Sequence, residues 1–349
     1  MNERLVEWVN EDVDAVLRGR VEQLAALKNG TLVVTGGTGF LGTWLTELVA
    51  RLNDRHGFGT QVALVARSTD RFKLACPHLA AREDVRFLKA DVRHMFEVPK
   101  ETTHLVHAAA NPDNRFHATN PIETMTVIGE GTSSILRAAD RCSDLRMLVN
   151  VSSGLVAGSQ PLELERVPES HPGAPAAGSV SSAYAEAKRY AETLCAAARS
   201  QGRIPIVTAR PFAFIGPYQS LDSPWAINNF IRDALRGDAI RVFGDGQTVR
   251  SYMYATDMAF WILRLAAAGT SGLAYNVGSP EGATLESVAR LVSNHFAPRP
   301  EIRLRTAPNA AQRSRFVPDV SLATKGLGLS LTVGLEDAIA RTVRWNRGS

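Results

Sequence analysis

Twelve residues, Thr31-Leu32-Val33-Val34-Thr35-Gly36-Gly37-Thr38-Gly39-Phe40-Leu41-Gly42, constrain this chain more than any other stretch. The apolar run Leu32 to Val34 stops at a cluster of glycines. A helical pattern with Leu41, Trp44, Leu45 and Leu48 on one side then begins. Strand, tight turn and helix in succession is the context in which closely spaced glycines bind a dinucleotide. Gly36 and Gly37 can take backbone angles closed to other residues, and Gly39 lets the main chain approach a pyrophosphate. Gly42 lets the helix lie close on the strand, and the helix N-terminus offers free N–H groups and a positive dipole end. A glycine-rich turn without a ligand has the same spacing, but strand, spacing and helix together favour a cofactor site.

The alternation continues. Val62 to Ala66 reads as a second buried strand, followed directly by Arg67-Ser68. An acid at such a strand end holds the adenosine ribose hydroxyls, whereas an arginine pairs with a ribose 2′-phosphate. Arg67, with Arg71 nearby, therefore favours NADP over NAD, although a solvated loop arginine would look the same. Phe87 to Val92 is a third predicted strand, with the Asp91 carboxylate placed to accept from an adenine amino group. His104 to Ala110 is a fourth; Ala108 and Ala109 let a cofactor pass close to its tip, and His104 and His107 read as packing residues. A helix follows over Thr124 to Ala139, then a fifth strand, Met147 to Ser153. Strands separated regularly by helices predict an α/β fold, a Rossmann-type doubly wound parallel sheet. Ligands sit at the carboxyl ends of such strands, where Gly36, Asp91, Ala108 and Ser153 all fall.

Tyr184-Ala185-Glu186-Ala187-Lys188 opens a helix running to about Arg199, with Tyr184 and Lys188 one turn apart on one face. A phenol of pKa near ~10 is a poor base at neutral pH. A neighbouring ammonium and a cationic nicotinamide ring would stabilise its phenolate. Ser153 can hydrogen-bond the same substrate oxygen. The three make a proton-transfer device for an alcohol–ketone pair. A tyrosine and a lysine at this spacing are common on amphipathic helices; the upstream glycines and the strand-end serine make the set specific.

These residues together resemble the extended short-chain dehydrogenase/reductases, the NAD(P)-dependent nucleotide-sugar epimerase/dehydratase family. The resemblance rests on Thr35 to Gly42, Asp91-Val92, His107-Ala108-Ala109, Ser152-Ser153, Tyr184 to Lys188 and Arg210 to Pro217. It continues through Val242 to Gly246, Arg250 to Met258, Tyr275 to Gly278 and a closing helix from Leu335 to Trp345. It implies Ser153, Tyr184 and Lys188 as catalytic trio. It implies a cofactor site of Gly36, Gly39, Phe40, Leu41, Gly42, Arg67, Asp91, Val92, Ala108 and Ala109, with Tyr184 and Lys188. It further implies that Arg250 grips the diphosphate of a nucleoside-diphosphate sugar, that Asn229 lies near it, and that Arg241 and Val242 flank the base. Bidentate arginine–phosphate pairing gives a physical reason for Arg250.

The chain also departs from the family. The 4,6-dehydratases carry an acidic pair after the catalytic Ser/Thr, and the decarboxylases carry an acid in that turn; here stand Gly154 and Leu155. Ala213 replaces a frequent asparagine, and Thr126 to Thr132 departs from the usual asparagine-bearing helix. What survives needs only hydride and proton transfer at a carbinol. The expectation is a nucleotide-sugar epimerase acting at C4; an NADPH-dependent 4-keto sugar reductase is the alternative, and a non-catalytic dinucleotide-binding subunit a third.

The 349 residues allow a large core and a smaller lobe. The expected division is a helical extension at 1–30, a nucleotide-binding domain at 31–212 rejoined near 251–268, and a substrate lobe from 213–250 and 269–349. The extension reads as helix from residue 3 to 28 and can pack on the nucleotide domain or on a second subunit. A net charge of +4, without a basic run, gives no sign of nucleic-acid binding. Cys76, Cys142 and Cys195 are scattered and read as packing residues in a reducing compartment, and no metal site is expected. No apolar stretch reaches the ~18 residues of a membrane span. The charged start is unlike a signal peptide, so a cytoplasmic protein is expected. The resemblance also implies a homodimer through the tyrosine helix and its neighbour.

Overall fold

The structure, a computed structural model, describes residues 3–94, 97–202, 204–305 and 313–348. Its centre is a seven-stranded sheet of β1 (Thr31–Thr35), β2 (Gln61–Ala66), β3 (Val85–Lys89), β4 (His104–His107), β5 (Met147–Val151), β6 (Ile206–Pro211) and a closing strand, Ala274–Val277. The spatial order is closing strand, β6, β5, β4, β1, β2, β3, with every pair parallel. β1 and β5 are buried along their whole length, as continuous apolar runs covered on both faces must be. From β1 the chain winds one way through β2 and β3 and the other way through β4, β5 and β6. The crevice where the winding reverses lies between the carboxyl ends of β1 and β4.

Polar groups tie that crevice together. The Thr35 hydroxyl accepts from the Ala108 N–H at 3.1 Å and lies 2.8 Å from His107 Nδ1. His107 Nε2 lies 3.2 Å from Thr132 Oγ1, whose own proton goes to the Ile128 carbonyl at 2.7 Å. Thr132 must therefore accept from Nε2–H, and Nδ1 accepts from Thr35. Burial holds His107 neutral by pushing its pKa down to about 3, and His104 is likewise depressed to about 4. Both histidines are packing residues, as predicted.

The helix after β1, α2 (Phe40–His56), starts with its first turn pressed on the glycine turn. A Cβ on Gly42 would stand 2.3 Å from the Gly37 carbonyl oxygen, so the helix closes onto the turn itself rather than onto the strand. Gly36 adopts φ +66° and a Cβ there would crowd the Ala108 carbonyl at 2.9 Å. Both positions require glycine.

The continuous helix predicted over 3–28 is two pieces. α1 (Glu3–Leu17) stops before Gly19, at φ +71°, and a 3₁₀ turn, Val21–Leu27, follows. Leu5, Val9, Val13 and Val16 join the core that holds Trp44, Leu48, Phe260 and Trp261, so the extension packs on this sheet's own helices. The helix Ala255–Ala268 is buried almost throughout and lies against β4, β5 and β6. A second hydrophobic cluster gathers Ile215, Ile227, Phe230, Val242, Val288 and Ile339. The three cysteines are buried and unpaired. Among the described residues no group of side chains is placed to hold a metal, and no helix is long and apolar enough to cross a membrane.

Asp12 is a charged residue in α1 that is almost fully buried. Its carboxylate accepts from the Tyr254 hydroxyl and from Arg341 Nη1 at 2.6 Å, joining the first helix to the last, Leu335–Gly348. Asp12→Ala leaves Arg341 without its partner and Tyr254 with an unmet donor. The expected loss is about 2–4 kcal/mol, read from urea denaturation midpoints.

Candidate active site

The cavity beside the glycine turn encloses about 540 Å³ and opens at the carboxyl ends of β1, β2 and β4. Gly36, Arg67, Asp91, Val92 and Ala109, all expected at a cofactor site, line it. Thr38, Ser68, Arg71, Phe116, Glu123 and Thr124 also line it. Gly39 is exposed, and a Cβ there would meet only the Gly36 carbonyl at 3.2 Å, so the turn leaves its outer side open. Glycine turn, helix N-terminus and elongated cavity fit a dinucleotide with its pyrophosphate over α2. Phe40, Leu41 and Gly42 form the first turn of α2 rather than the cavity wall, and the Ala108 carbonyl lies against Gly36 rather than lining the cavity.

Asp91 is not a free carboxylate. Arg93 grips it, with Nη2 at 2.6 Å and Nε at 3.0 and 3.2 Å, and this pairing pushes its pKa down to about 2. It stays at the cavity wall with fewer lone pairs to offer than the sequence suggested. Arg67 and Arg71 are both exposed at the rim, and no acid ends β2.

The tyrosine helix (Ala183–Ser200) runs beside β5 and brings the expected trio together. Ser153, just beyond β5, accepts from the Leu155 N–H at 3.2 Å, which leaves its proton to donate. The Ser153 hydroxyl beside Tyr184 favours the ionised phenol, but burial outweighs it and raises the Tyr184 pKa to about 12. Lys188 departs from expectation. Its ammonium donates to the Val151 carbonyl at 2.6 Å and lies 5.8 Å from the Tyr184 ring centroid, over the ring rather than bonded to the phenol oxygen. Its own pKa is pushed down to about 8 by burial.

Two contacts were not legible from spacing. His117, on the short helix Asn114–Thr119, stacks on Tyr184 with centroids 4.2 Å apart and planes 9° from parallel. Its Nε2 lies 2.6 Å from the Asn111 carbonyl, which fixes the ring over the phenol. Phe212, just past β6, stacks on Phe316 at 4.3 Å and covers the turn after Ser153. A Cβ on Gly154 would stand 2.5 Å from the Phe212 ring, so no side chain fits there, and Leu155 points outward, 43% exposed.

The remaining expected residues lie outside this cavity. Arg250 is half-buried, donates to the Val249 and Ser314 carbonyls and the Ser314 hydroxyl, and has no carboxylate partner among the described residues. Arg241 pairs with Asp233 at 3.3 Å. Val242 is fully buried in the second cluster, and Asn229 is half-buried on the helix Ala226–Leu235.

Lys188 makes the site costly. Its folded pKa lies near 8, below the unfolded value near 10.5, so folding disfavours the charged form. Stability is therefore withheld below pH 8 and recovered as pH rises toward 10.5. Lys188→Met is expected to stabilise the protein by about 1–3 kcal/mol at neutral pH, with the gain shrinking in alkali. Thermal unfolding across pH checks both.

The likeness to known proteins agrees with this geometry. Residues 32–278 match the NAD dependent epimerase/dehydratase family. UDP-glucuronic acid decarboxylase 6 of Arabidopsis thaliana is 30% identical over 313 residues, covering 89% of this chain and 87% of the plant protein. UDP-glucuronic acid decarboxylase 1 of Danio rerio is 28% identical over 321 residues, covering 90% and 72%. Among solved structures, the UDP-glucuronic acid 4-epimerase of Bacillus cereus, in complex with UDP-glucuronic acid and NAD, superposes with a TM-score of 0.77 at 20% identity. That match covers 91% of this chain and 99% of the other, and it speaks for the fold. With the glycine turn, the parallel sheet and the Ser153–Tyr184–Lys188 grouping in place, the chain belongs to the NAD-dependent epimerase/dehydratase family.

Proposed function

We propose that the protein is a nucleotide-sugar epimerase that inverts a carbinol, C4 of the sugar, through a transient keto sugar. One observation carries the reading: the Ser153–Tyr184–Lys188 set is intact, while the adjoining turn offers only Gly154, closed off by Phe212, and Leu155. Elimination of water requires a second acid–base group; inversion at a carbinol does not. A bound NAD or NADP supplies the hydride acceptor and donor. Tyr184 takes the proton of the carbinol oxygen and returns it, and Ser153 hydrogen-bonds the same oxygen. Lys188 supplies the positive charge beside Tyr184. Arg67 and Arg71 favour NADP, with NAD the alternative.

Arg250 supports a diphosphate-bearing substrate, since a half-buried guanidinium without a carboxylate suits a phosphate. Asn229, Arg241 and the Val242 backbone belong to the same substrate lobe in this reading. A homodimer through the tyrosine helix and its neighbour, Pro121–Ala139, is part of it; Ile122, Met125 and Tyr190 are exposed there. A second reading, decarboxylation of a nucleotide-linked uronic acid, is favoured by the sequence likeness to UDP-glucuronic acid decarboxylases. Oxidation at C4 places a ketone β to the carboxylate; loss of carbon dioxide then leaves an enolate, which takes a proton at C5 before hydride returns to C4.

Incubation with UDP-glucuronic acid and neutral UDP-hexoses, followed by mass spectrometry and chromatography, separates the outcomes. An epimer of unchanged mass supports the first reading; a product lighter by carbon dioxide supports the second. Consumption of NADPH with a 4-keto sugar nucleotide would instead make the protein a ketoreductase. Tyr184→Phe is expected to abolish turnover while cofactor affinity by fluorescence titration stays nearly unchanged; normal turnover would remove Tyr184 from the role of proton carrier. Arg250→Met is expected to raise KM by at least about tenfold with a smaller effect on kcat.

A further inference from the structure

Three successive contacts join the end of β5 to one face of the tyrosine helix. The Val151 carbonyl accepts from Lys188 at 2.6 Å, the Ser152 hydroxyl donates to Glu192 Oε1 at 2.6 Å, and the Ser153 hydroxyl faces Tyr184. Consecutive residues of the strand end thus meet residues four apart on the helix. Arg210, at the end of the neighbouring β6, completes the Glu192 contact. Its Nε donates to Oε1 at 3.0 Å and its Nη2 to Oε2 at 2.8 Å. Its remaining Nη1 donates to the Glu169 carbonyl at 2.9 Å, in the loop preceding the helix.

We propose that Glu192 is a positioning residue whose carboxylate, fixed by Ser152 and Arg210, keeps the Lys188 ammonium charged and seated on the Val151 carbonyl. It acts on proton transfer through Lys188 and does not touch substrate. The role rests on the assignment of Tyr184 and Lys188 given above.

Lys188 is buried and, among the described residues, has no carboxylate within ion-pair distance; Glu192, one helical turn away, is the largest influence opposing the loss of its charge. The other groups facing Lys188 do little. Cys195, on the same helix, is held protonated by burial, with its pKa raised to about 12. His107, from β4, is neutral, and Tyr184 carries its proton. Arg210 approaches Glu192 from β6 and satisfies the carboxylate, so that its desolvation is tolerated. A pair serving only to hold β6 to the helix would leave the charge state of Lys188 unaffected.

The test reads that charge directly and needs no substrate. The Lys188 ¹³Cε resonance of the full-length protein, assigned with Lys188→Arg, is followed by NMR across pH. Glu192→Gln keeps the shape and removes the charge; the Lys188 midpoint is expected to fall by about one pH unit or more. Ser152→Ala, which leaves the carboxylate in place, should hold the midpoint close to that of the parent protein. An unchanged midpoint in a folded Glu192→Gln protein would overturn the proposal. Should that variant not fold, the charge-balanced double variant Glu192→Gln with Arg210→Gln is expected to give a smaller fall in the same direction, and no fall would overturn it equally. A normal rate in Tyr184→Phe, by contrast, would remove the trio and leave these midpoints as they are.

Discussion

The hydrogen bond from the buried Lys188 ammonium to the Val151 carbonyl is the contact on which the site depends. It sets the tyrosine helix against β5, and with it the approach of Tyr184 to Ser153. The sheet makes this possible, because β5 is buried along its whole length and its last carbonyl, on Val151, is turned to the tyrosine helix. The chain accepts a desolvated cation in return for a fixed geometry. Such a concession is the usual mark of a site shaped by chemistry rather than by stability.

The cofactor end is organised differently. There the backbone does the work, through a glycine turn pressed against both α2 and the strand tip of β4. Thr35, His107 and Thr132 lock that tip with neutral hydrogen bonds. No formal charge is spent on locking that tip; the charged groups of the cavity, Arg67, Arg71, Asp91 and Glu123, come from other segments.

Much of this was legible in the sequence because it follows from short-range periodicity. Five of the seven sheet strands announce themselves as apolar runs, and Tyr184 and Lys188 share a face through helical spacing alone. What escaped depends on contacts between distant segments. Nothing local says that Phe212 covers Gly154 or that His117 lies flat on Tyr184; Arg93 stands only two residues from Asp91, yet spacing alone does not show that it takes the carboxylate. The direction of Lys188 escaped for the same reason: spacing gives a shared face, while the acceptor of a long side chain is set by whichever carbonyl the neighbouring strand presents. The break at Gly19 was present in the sequence but outweighed by continued apolar spacing on either side.

The clasp between α1 and the helix Leu335–Gly348 bears on how the fold closes. Asp12 meets Arg341, and the Trp8 ring lies under the Arg344 guanidinium at 4.6 Å and against the backbone at Gly348. The carboxylate of α1 therefore has its cation only when a helix 329 residues further along the chain has docked. The packing of α1 on the nucleotide-binding sheet is thereby coupled, through one buried carboxylate, to the docking of that distant helix.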